Sequence, residues 1–201
     1  MRRLILIATL LLTMTATTAM ADSIDHRLGL NGRIGFIVPL ADGDINGASF
    51  WLSEAGFAAG GGLIYGFGKN FAAEIDAARV PNLDIFSGNG SKVAEANYTD
   101  LSIGLQYRIM PEKHLVPYIG VGGDFIKADI KDAAMDWAFG GHVNVGLDYF
   151  LTKGVALNLD CKAVMAPKSD IVMNGVNVGT FDPTSVITTF GVRLVLAEKW
   201  W

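Results

Sequence analysis

The sequence is short of cysteine, of charge and of long apolar runs, and each shortage excludes a class of protein. Its one cysteine, Cys161, cannot form an internal disulfide, which excludes a fold held together by a disulfide framework. Charged residues make up 18% of the chain and hydrophobic residues 51%, an unusual balance for a secreted soluble domain. Beyond residue 21, no apolar run approaches the roughly 20 residues that a transmembrane helix needs. The apolar residues are therefore dispersed along the chain.

The N-terminus has the features of a secretory signal peptide. Arg2 and Arg3 give it positive charge, residues 4–12 form an apolar core, and Ala-Met-Ala at 19–21 is a small-x-small cleavage site. We therefore predict a signal peptide over residues 1–21 and a single mature domain over residues 22–201.

The mature chain is acidic. Without the two arginines of the signal peptide it has 14 basic residues against 20 acidic ones, a net charge of −6. This balance gives no electrostatic footprint for nucleic acid, so we predict no nucleic-acid partner. No sequence motif indicates a cofactor.

Apolar and polar residues alternate with a period of two in eight segments of the mature chain. The clearest segment interleaves Leu101, Ile103, Leu105 and Tyr107 with polar residues and glycine. Strict alternation is typical of strands in a membrane barrel, where one face contacts lipid and the other faces the lumen. A water-soluble sandwich also alternates, so alternation alone leaves both folds open.

The connections between the segments favour the barrel. Three are short, at residues 68–70, 109–115 and 151–154, and four are longer and polar or Gly-rich, at residues 40–53, 80–92, 127–136 and 166–183. Short turns at one rim and long loops at the other are typical of bacterial outer-membrane barrels. Only a closed sheet pairs every backbone amide in hydrocarbon. The sequence thus predicts an all-β fold, an eight-stranded antiparallel up-and-down transmembrane β-barrel, with both chain termini on the short-turn side.

The polar face of the alternating segments supplies the candidate site. We predict that every second side chain contacts hydrocarbon while its neighbours point into an enclosed polar core, which in so small a barrel is filled by side chains. The predicted lumen-lining residues are Arg33, Glu74, Asp76, Asp100, Gln106, Arg108, Asp124, His142, Asp148, Asp160, Lys162 and Arg193.

Several stretches resemble the outer membrane protein W (OmpW) family. They include Gly-Arg-Ile-Gly at 32–35, the run from Leu63 to Glu74, Val-Pro-Tyr-Ile-Gly-Val-Gly at 116–122, Gly-Leu-Asp-Tyr-Phe-Leu at 146–151 and Ala-Leu-Asn-Leu-Asp at 156–160. The similarity covers nearly the whole mature chain in the right order. It implies a narrow barrel in the outer membrane of a Gram-negative bacterium that helps small hydrophobic molecules across as a passive conduit.

The resemblance also suggests what obstructs the lumen. Well-known members carry large apolar side chains on the third and seventh strands, where this chain has Asp76 and Lys162. We predict that these two form an ion pair across the lumen, because desolvated charges are tolerated only when they are partnered. Such a pair would plug the barrel.

The C-terminal strand carries the expected biogenesis signal. Residues 189–196 read polar-x-Gly-x-x-apolar-x-apolar, which resembles the signal that barrel assembly machinery reads. That machinery and the outer-membrane lipids are the predicted partners. The tail at residues 197–201 follows this signal, and its role is open.

One loop resembles a metal site. Residues 42–47, Asp-Gly-Asp-Ile-Asn-Gly, begin like the calcium-binding loop of an EF-hand, whose oxygen ligands suit a hard cation. The twelfth position, however, is Ser53 instead of Glu. A polar surface loop rich in turn formers is the competing interpretation.

Enzymatic activity is the rival class of function, since some small barrels modify lipids. A hydrolytic site needs a nucleophile within hydrogen-bond reach of a base. The three histidines are His26, His114 and His142, and of these only His142 falls on a predicted strand, where it could face Asp124. We predict no enzymatic activity. The open alternatives are a passive conduit, a closed structural or surface-interaction barrel, and, less favoured, a lipid-modifying enzyme.

Overall fold

Alternating apolar and polar side chains make the described chain almost entirely β-strand. The computed structural model describes residues 24–40, 43–45, 48–52, 55–87, 90–130, 133–135, 137–173 and 176–196. The predicted signal peptide, the tail at 197–201 and positions 42, 46 and 47 of the candidate calcium loop lie outside these residues. Among the described residues, no helix is long and apolar enough to cross a bilayer.

The described residues form thirteen strands. They are β1 (Leu28–Pro39), β2 (Gly43–Ile45), β3 (Ala48–Leu52), β4 (Gly56–Gly66), β5 (Phe71–Ser87), β6 (Lys92–Arg108), β7 (Leu115–Ile130), β8 (Ala133–Met135), β9 (Ala138–Thr152), β10 (Val155–Met165), β11 (Ser169–Met173), β12 (Val176–Phe181) and β13 (Ser185–Val195).

Eight of these strands close a barrel. In order around the wall they are β1, β4, β5, β6, β7, β9, β10 and β13, and each runs antiparallel to both neighbours. The wall closes where β13 pairs with β1, from Gly29 opposite Val195 to Pro39 opposite Ser185. This arrangement confirms the predicted eight-stranded antiparallel up-and-down barrel.

The outer face of the barrel is apolar at every strand, as the alternation predicts. On β1, Ile34 and Phe36 are 57% and 61% exposed, whereas the neighbouring inward residues Gly35 and Ile37 are buried. A water-soluble barrel would bury these large side chains, because leaving apolar surface in water costs free energy. The exterior therefore suits a hydrocarbon environment.

The long connections are not the loops that the sequence predicts. The five short strands β2, β3, β8, β11 and β12 pair with one another and with the far ends of β5 and β7. Together with β5, β6 and β7 they close a second hydrogen-bonded ring, the loop ring, on top of the barrel.

The predicted loop at residues 80–92 shows why this prediction was wrong. β5 runs on to Ser87 and β6 begins at Lys92, so nearly all of the stretch is hairpin. Its polar and glycine residues suggest a loop, but Leu83 and Ile85 still point inward and are buried. Pairing also satisfies backbone groups that a free strand end would leave open.

The interior has three layers. At the loop ring lies an apolar layer, the loop-side cluster, which consists of Ile37, Ala58, Val80, Leu83, Ile85, Ala96, Tyr98, Ile126, Ala128, Ala138, Val164, Ile171, Phe181 and Ile187. At the short turns lies a smaller one, the turn-side cluster, made of Ile24, Ile64, Ala72, Val116, Phe150, Ala156 and Val195. Polar and charged residues fill the middle. The lumen is thus polar only between two apolar layers, which corrects the expectation of a wholly polar core.

Candidate functional site

All twelve predicted lumen-lining residues occupy inward positions of the barrel strands. Ten of them are at most 9% exposed, and the side chains of the other two, Arg33 and Lys162, are 13% exposed. They separate into two groups, one nearer the short turns and one nearer the loop ring.

The first group, the arginine cluster, is organised around Asp148 on β9. Arg108 donates to Asp148 Oδ2 at 2.6 Å, and Arg193 donates to the same oxygen. Asn158 donates to the other carboxylate oxygen at 2.8 Å. Both guanidinium groups also lie over the ring of Tyr118, with their central carbons 5.8 and 5.7 Å from its centroid. Charge pairing and cation–π contact therefore act together at this point.

Glu74 is the second acceptor of the arginine cluster. Asn31 donates to it at 2.6 Å, and Gln106 also donates to its carboxylate. The guanidinium groups of Arg33 and Arg193 each lie 3.5 Å from its Oε1. Buried carboxylates need such dense pairing, because burying an unpartnered charge is costly.

Asp160 completes the arginine cluster through neutral donors. The Tyr118 hydroxyl and the Asn144 amide each donate to Asp160 Oδ2 at 2.8 Å. Asn158 links this part to Asp148 by donating to the Tyr118 hydroxyl at 2.9 Å. The cluster is therefore one continuous hydrogen-bonded network across the barrel.

The second group, the lysine cluster, lies between the arginine cluster and the loop-side cluster. Lys162 on β10 donates to Asp100 and, at 3.0 Å, to Asp124. His142 places its Nδ1 2.8 Å from the other oxygen of Asp124. One ammonium group thus holds strands β6, β7 and β10 together through the lumen.

The predicted ion pair between Asp76 and Lys162 is wrong. Asp76 pairs with Arg33, and Lys162 pairs with Asp100 and Asp124. Arg33 on β1 reaches Asp76 on β5 across β4, whose inward residue beside Asp76 is Gly62. Because that glycine has no side chain, the nearer partner is accessible and the pair does not need to span the lumen.

Glycines on the inner wall make room for the polar side chains. A Cβ built on Gly146 would overlap the ring and hydroxyl of Tyr118, and one built on Gly120 would overlap the amide of Asn144. The absence of a side chain at these positions therefore allows a large polar residue on the neighbouring strand to lie flat across the lumen.

Sequence reasoning omitted several members of the network. Asn31, Tyr118, Asn144 and Asn158 are buried and bonded to the predicted charged residues. Their signal was the same alternation that identified the twelve predicted residues, but apart from Gln106 the prediction took only ionisable side chains.

Little space remains in the middle of the lumen. A cavity of about 40 Å³ lies between the two charged clusters and is lined by Arg33, Asp76, Ser102, His142, Asn144 and Lys162, among others. A water molecule needs roughly 10–15 Å³ measured in this way, so the cavity has room for a few waters only. Polar side chains therefore fill most of this layer.

The barrel wall has a gap in strand pairing beside the loop-side cluster. Pairing between β4 and β5 ends at Ala59 opposite Arg79, so the described β4 residues 56–58 have no partner on β5. Pairing on that edge of β5 resumes where Ile85 meets Leu52 of β3. We call the gap between these two pairs the seam.

Local sequence explains the seam. Pro81 lies in it and has no N–H to donate, and Asn82 adopts a left-handed backbone conformation with φ of 52°. The side chains of Val80 and Leu83 fill the gap and pack against Gly56. Between these two pairs the described residues of β4 and β5 form no strand pairing, and the side chains of Val80 and Leu83 lie across the gap.

The three histidines considered for catalysis differ in their surroundings. His142 and Asp124 form an acid–base pair, but no hydrogen bond among the described residues connects the ring to a nucleophile. His26 is exposed, and His114 Nδ1 contacts the backbone oxygen of Phe150 at 3.1 Å. No group of three or more acidic, His or Cys side chains in the described part of the chain is arranged to hold a metal ion.

Comparison with known proteins agrees with the barrel architecture. The family profile described as the outer membrane protein beta-barrel domain matches residues 7–194. No curated protein sequence matches the chain at a significant level.

Three solved structures illustrate the likeness. Outer membrane protein OprG from Pseudomonas aeruginosa is 18% identical with a TM-score of 0.67, and the match covers 88% of this chain and all of that one. Outer membrane protein AlkL in lipid bilayers is also 18% identical, with a TM-score of 0.59 and coverage of 94% and 99%. E. coli outer membrane protein W is 16% identical, with a TM-score of 0.51 and coverage of 85% and 98%. The chain belongs to the outer membrane protein beta-barrel family and has an eight-stranded barrel of OmpW type.

Proposed function

We propose that this protein is a passive conduit for small apolar molecules in the outer membrane of a Gram-negative bacterium. A solute enters through the loop ring, dissolves among the side chains of the loop-side cluster, and leaves sideways through the seam into the membrane. The observation that carries the proposal is the position of the seam, a gap in strand pairing that lies directly beside the loop-side cluster.

The chemistry of the layers supports a sideways exit. An axial route would take an apolar solute through the lysine and arginine clusters, where it would have to break buried charge pairs. Breaking such pairs is strongly unfavourable. On the inner side of the seam the solute meets the apolar side chains of Val80 and Leu83, which are continuous with the loop-side cluster.

The export, membrane environment and assembly of the protein are inferred from the barrel and its sequence. Residues 1–21 direct the chain for export, and the outer-membrane lipids cover the apolar exterior. Barrel assembly machinery reads the end of β13 together with Leu196. No cofactor, metal ion or catalytic step is part of the proposal, and the relative AlkL, whose structure was determined in lipid bilayers, offers a precedent for the environment.

A pair of neighbouring alanines provides the test. Ala58 points into the loop-side cluster and is fully buried, whereas the next residue, Ala59, lies on the outer face. Ala58→Trp should crowd the loop-side cluster beside the seam and abolish most of the protein-dependent uptake of an apolar probe such as N-phenylnaphthylamine. Ala59→Trp should leave uptake unchanged. Cells with lipopolysaccharide in their outer membrane are needed, because an apolar probe crosses a plain phospholipid bilayer unaided.

The competing candidate is a closed structural or surface-interaction barrel. It is favoured by the cavity of only about 40 Å³ and by the fully packed loop-side cluster. The same experiment separates the two functions. If cells that produce the wild-type protein take up the probe no faster than cells that lack it, the conduit is wrong and the closed barrel stands.

A further inference from the structure

Arg79 on β5 is exposed on the outer face of the barrel, whereas the other arginines of the described strands face the lumen. Among the described residues, none forms a hydrogen bond or an ion pair with its side chain. A guanidinium group without an acidic partner can bind an anion from outside the protein, and its planar fork suits phosphate best.

The position of Arg79 along β5 places it at the edge of the hydrocarbon. The stretch from Phe71 to Arg79 has nine residues, and a transmembrane strand needs about 9–11. Phe71 and Tyr107 contact each other edge to face on the outer wall, with ring centroids 5.4 Å apart, and such aromatic pairs are typical of a membrane interface. Arg79 therefore lies at the opposite interface, on the loop side, where a charged side chain costs little.

Two more hydrogen-bond donors lie in the same row across the wall. Arg79 is opposite Thr99 of β6, and Thr99 is opposite Lys127 of β7. Because neighbouring strands lie roughly 4.8 Å apart, the backbones at Arg79 and Lys127 are about 10 Å apart. Lys127 contacts Asp129 at 3.1 Å, so Arg79 contributes the unpaired charge. We call Arg79, Thr99 and Lys127 the basic row.

The other exposed acids of this hairpin do not contact the basic row. Asp84 and Glu95 both contact Lys92, at 2.8 and 2.6 Å, near the tip of the β5–β6 hairpin. The basic row together with Asp129 thus keeps a net charge of +1 at the interface.

A groove runs along the outer wall on the membrane side of the basic row. Its floor is shallow because Gly61 and Ala77 lie opposite each other in the next outward row of β4 and β5. The groove contains about 630 Å³ of space, within the range of roughly 300–1,000 Å³ for small-molecule sites. Its larger outward side chains are all apolar: Leu63, Ile75, Leu101, Ile103 and Phe125.

An apolar groove that ends at a basic row matches a lipid with a phosphate headgroup. The acyl chain would lie in the groove and the phosphate at the interface. The loops of outer-membrane barrels face the outside of the cell, so the lipid next to this groove belongs to the outer leaflet. That leaflet consists of lipopolysaccharide, whose lipid A part carries acyl chains and phosphate monoesters. A monoester has a charge of about −1.5 to −2, whereas the diester of a phospholipid has only one negative charge.

We propose that the outer wall of β4–β7 is a binding site for lipid A, with an acyl chain in the groove and a phosphate on Arg79, Thr99 and Lys127. This inference goes beyond the conduit and applies to a closed barrel as well. The bound lipid lies next to the seam, because the pair of Ala59 and Arg79 is the last one before the seam.

The experiment titrates the mature full-length protein in a mild detergent with purified lipid A or with phosphatidylglycerol, and native mass spectrometry counts the bound lipids. We expect lipid A to bind roughly threefold more tightly than phosphatidylglycerol, because its phosphate carries more charge. Arg79→Gln should weaken the binding of lipid A roughly fivefold, the loss of one exposed ion pair with bidentate geometry. Lys113→Gln is the control, because it removes one positive charge from the short turn at the opposite interface.

A second pair of variants tests the groove. Ala77→Phe fills the groove floor from an exposed position and should weaken the binding of lipid A about threefold through lost van der Waals contacts. Ala163→Phe makes the same change on the outer face of β10, outside the groove, and should bind lipid A like the wild type. The heat-dependent gel mobility typical of folded barrels reports whether each variant is folded.

Three results would overturn the inference. Equal losses in Arg79→Gln and Lys113→Gln would show general charge attraction in place of a site. Binding of lipid A by Ala77→Phe at the wild-type level would show that the groove holds no acyl chain. Phosphatidylglycerol that binds as tightly as lipid A would show that the wall does not select the outer-leaflet lipid. None of these results bears on the conduit, which Ala58→Trp tests separately.

Discussion

Asp148 receives guanidinium groups from opposite sides of the barrel: Arg108 on β6 and Arg193 on β13 both donate to its Oδ2 atom. β9, which carries Asp148, lies midway between those two strands in the ring. One carboxylate therefore ties three strands together through the lumen. The barrel wall is held by backbone pairing and, at this level, also by the buried ion pairs of Asp148 with Arg108 and Arg193, which we call the brace.

Removing this brace should destabilise the barrel strongly. Asp148→Ala leaves Arg108 and Arg193 buried without their shared partner, and we expect a loss of about 3–5 kcal/mol in the free energy of unfolding. Urea titration in lipid vesicles, followed by tryptophan fluorescence, measures this loss. Asp129→Ala is the control, because Asp129 forms an exposed pair with Lys127 at 3.1 Å, and its loss should cost no more than about 1 kcal/mol. Equal effects of the two substitutions would show that the brace contributes nothing.

The partner of Asp76 can be determined by double-mutant cycles. Arg33→Ala and Asp76→Ala should be coupled by about 1 kcal/mol or more in unfolding free energy, because each removes the other's nearest charge. Asp76→Ala and Lys162→Ala should be additive to within about 0.5 kcal/mol, since Asp76 pairs with Arg33 whereas Lys162 pairs with Asp100 and Asp124. The reverse result would restore the pair that the sequence suggests and contradict the observed one.

The inner-wall glycines should not tolerate even a methyl group where a polar side chain crosses them. Gly146→Ala places its Cβ into the Tyr118 ring and should cost about 1–3 kcal/mol through overpacking. Gly123→Ala is the matched substitution, because the nearest atom to a Cβ there is a backbone oxygen at 3.8 Å. It should leave the urea midpoint unchanged. A harmless Gly146→Ala would mean that Tyr118 does not lie where the network needs it.

Local pattern was sufficient to predict the barrel wall. A period of two in side-chain polarity depends only on neighbouring residues, so the eight strands and their inward faces could be inferred from segments such as Leu101–Tyr107. The loop ring could not be inferred in the same way. Its strands are short, and their pairing, such as β12 with β2, joins residues far apart in sequence.

The side-chain ion pairs inside the lumen could not be predicted from the sequence either. Which inward residues meet depends on the stagger of each strand and on the lengths of side chains that cross a neighbouring strand. Arg33 reaches Asp76 only because Gly62 lies in between, a fact that needs the register of three strands. Sequence could list the charged residues but could not pair them.

A membrane-spanning barrel requires its outer face to lie in hydrocarbon, and Cys161 offers a direct test of this. This residue is the only cysteine of the chain and lies exposed on the outer face of β10. A nitroxide attached to it in the protein reconstituted into bilayers reports collisions with oxygen, which concentrates in lipid, and with a water-soluble nickel complex.

A label at the short-turn residue Lys113, introduced as Lys113→Cys together with Cys161→Ser, calibrates the water-exposed limit. We expect frequent oxygen collisions and few nickel collisions at Cys161, with the opposite ratio at position 113. A label at Cys161 that collides with nickel as often as the one in the turn would contradict the membrane-spanning barrel and the transport proposal with it.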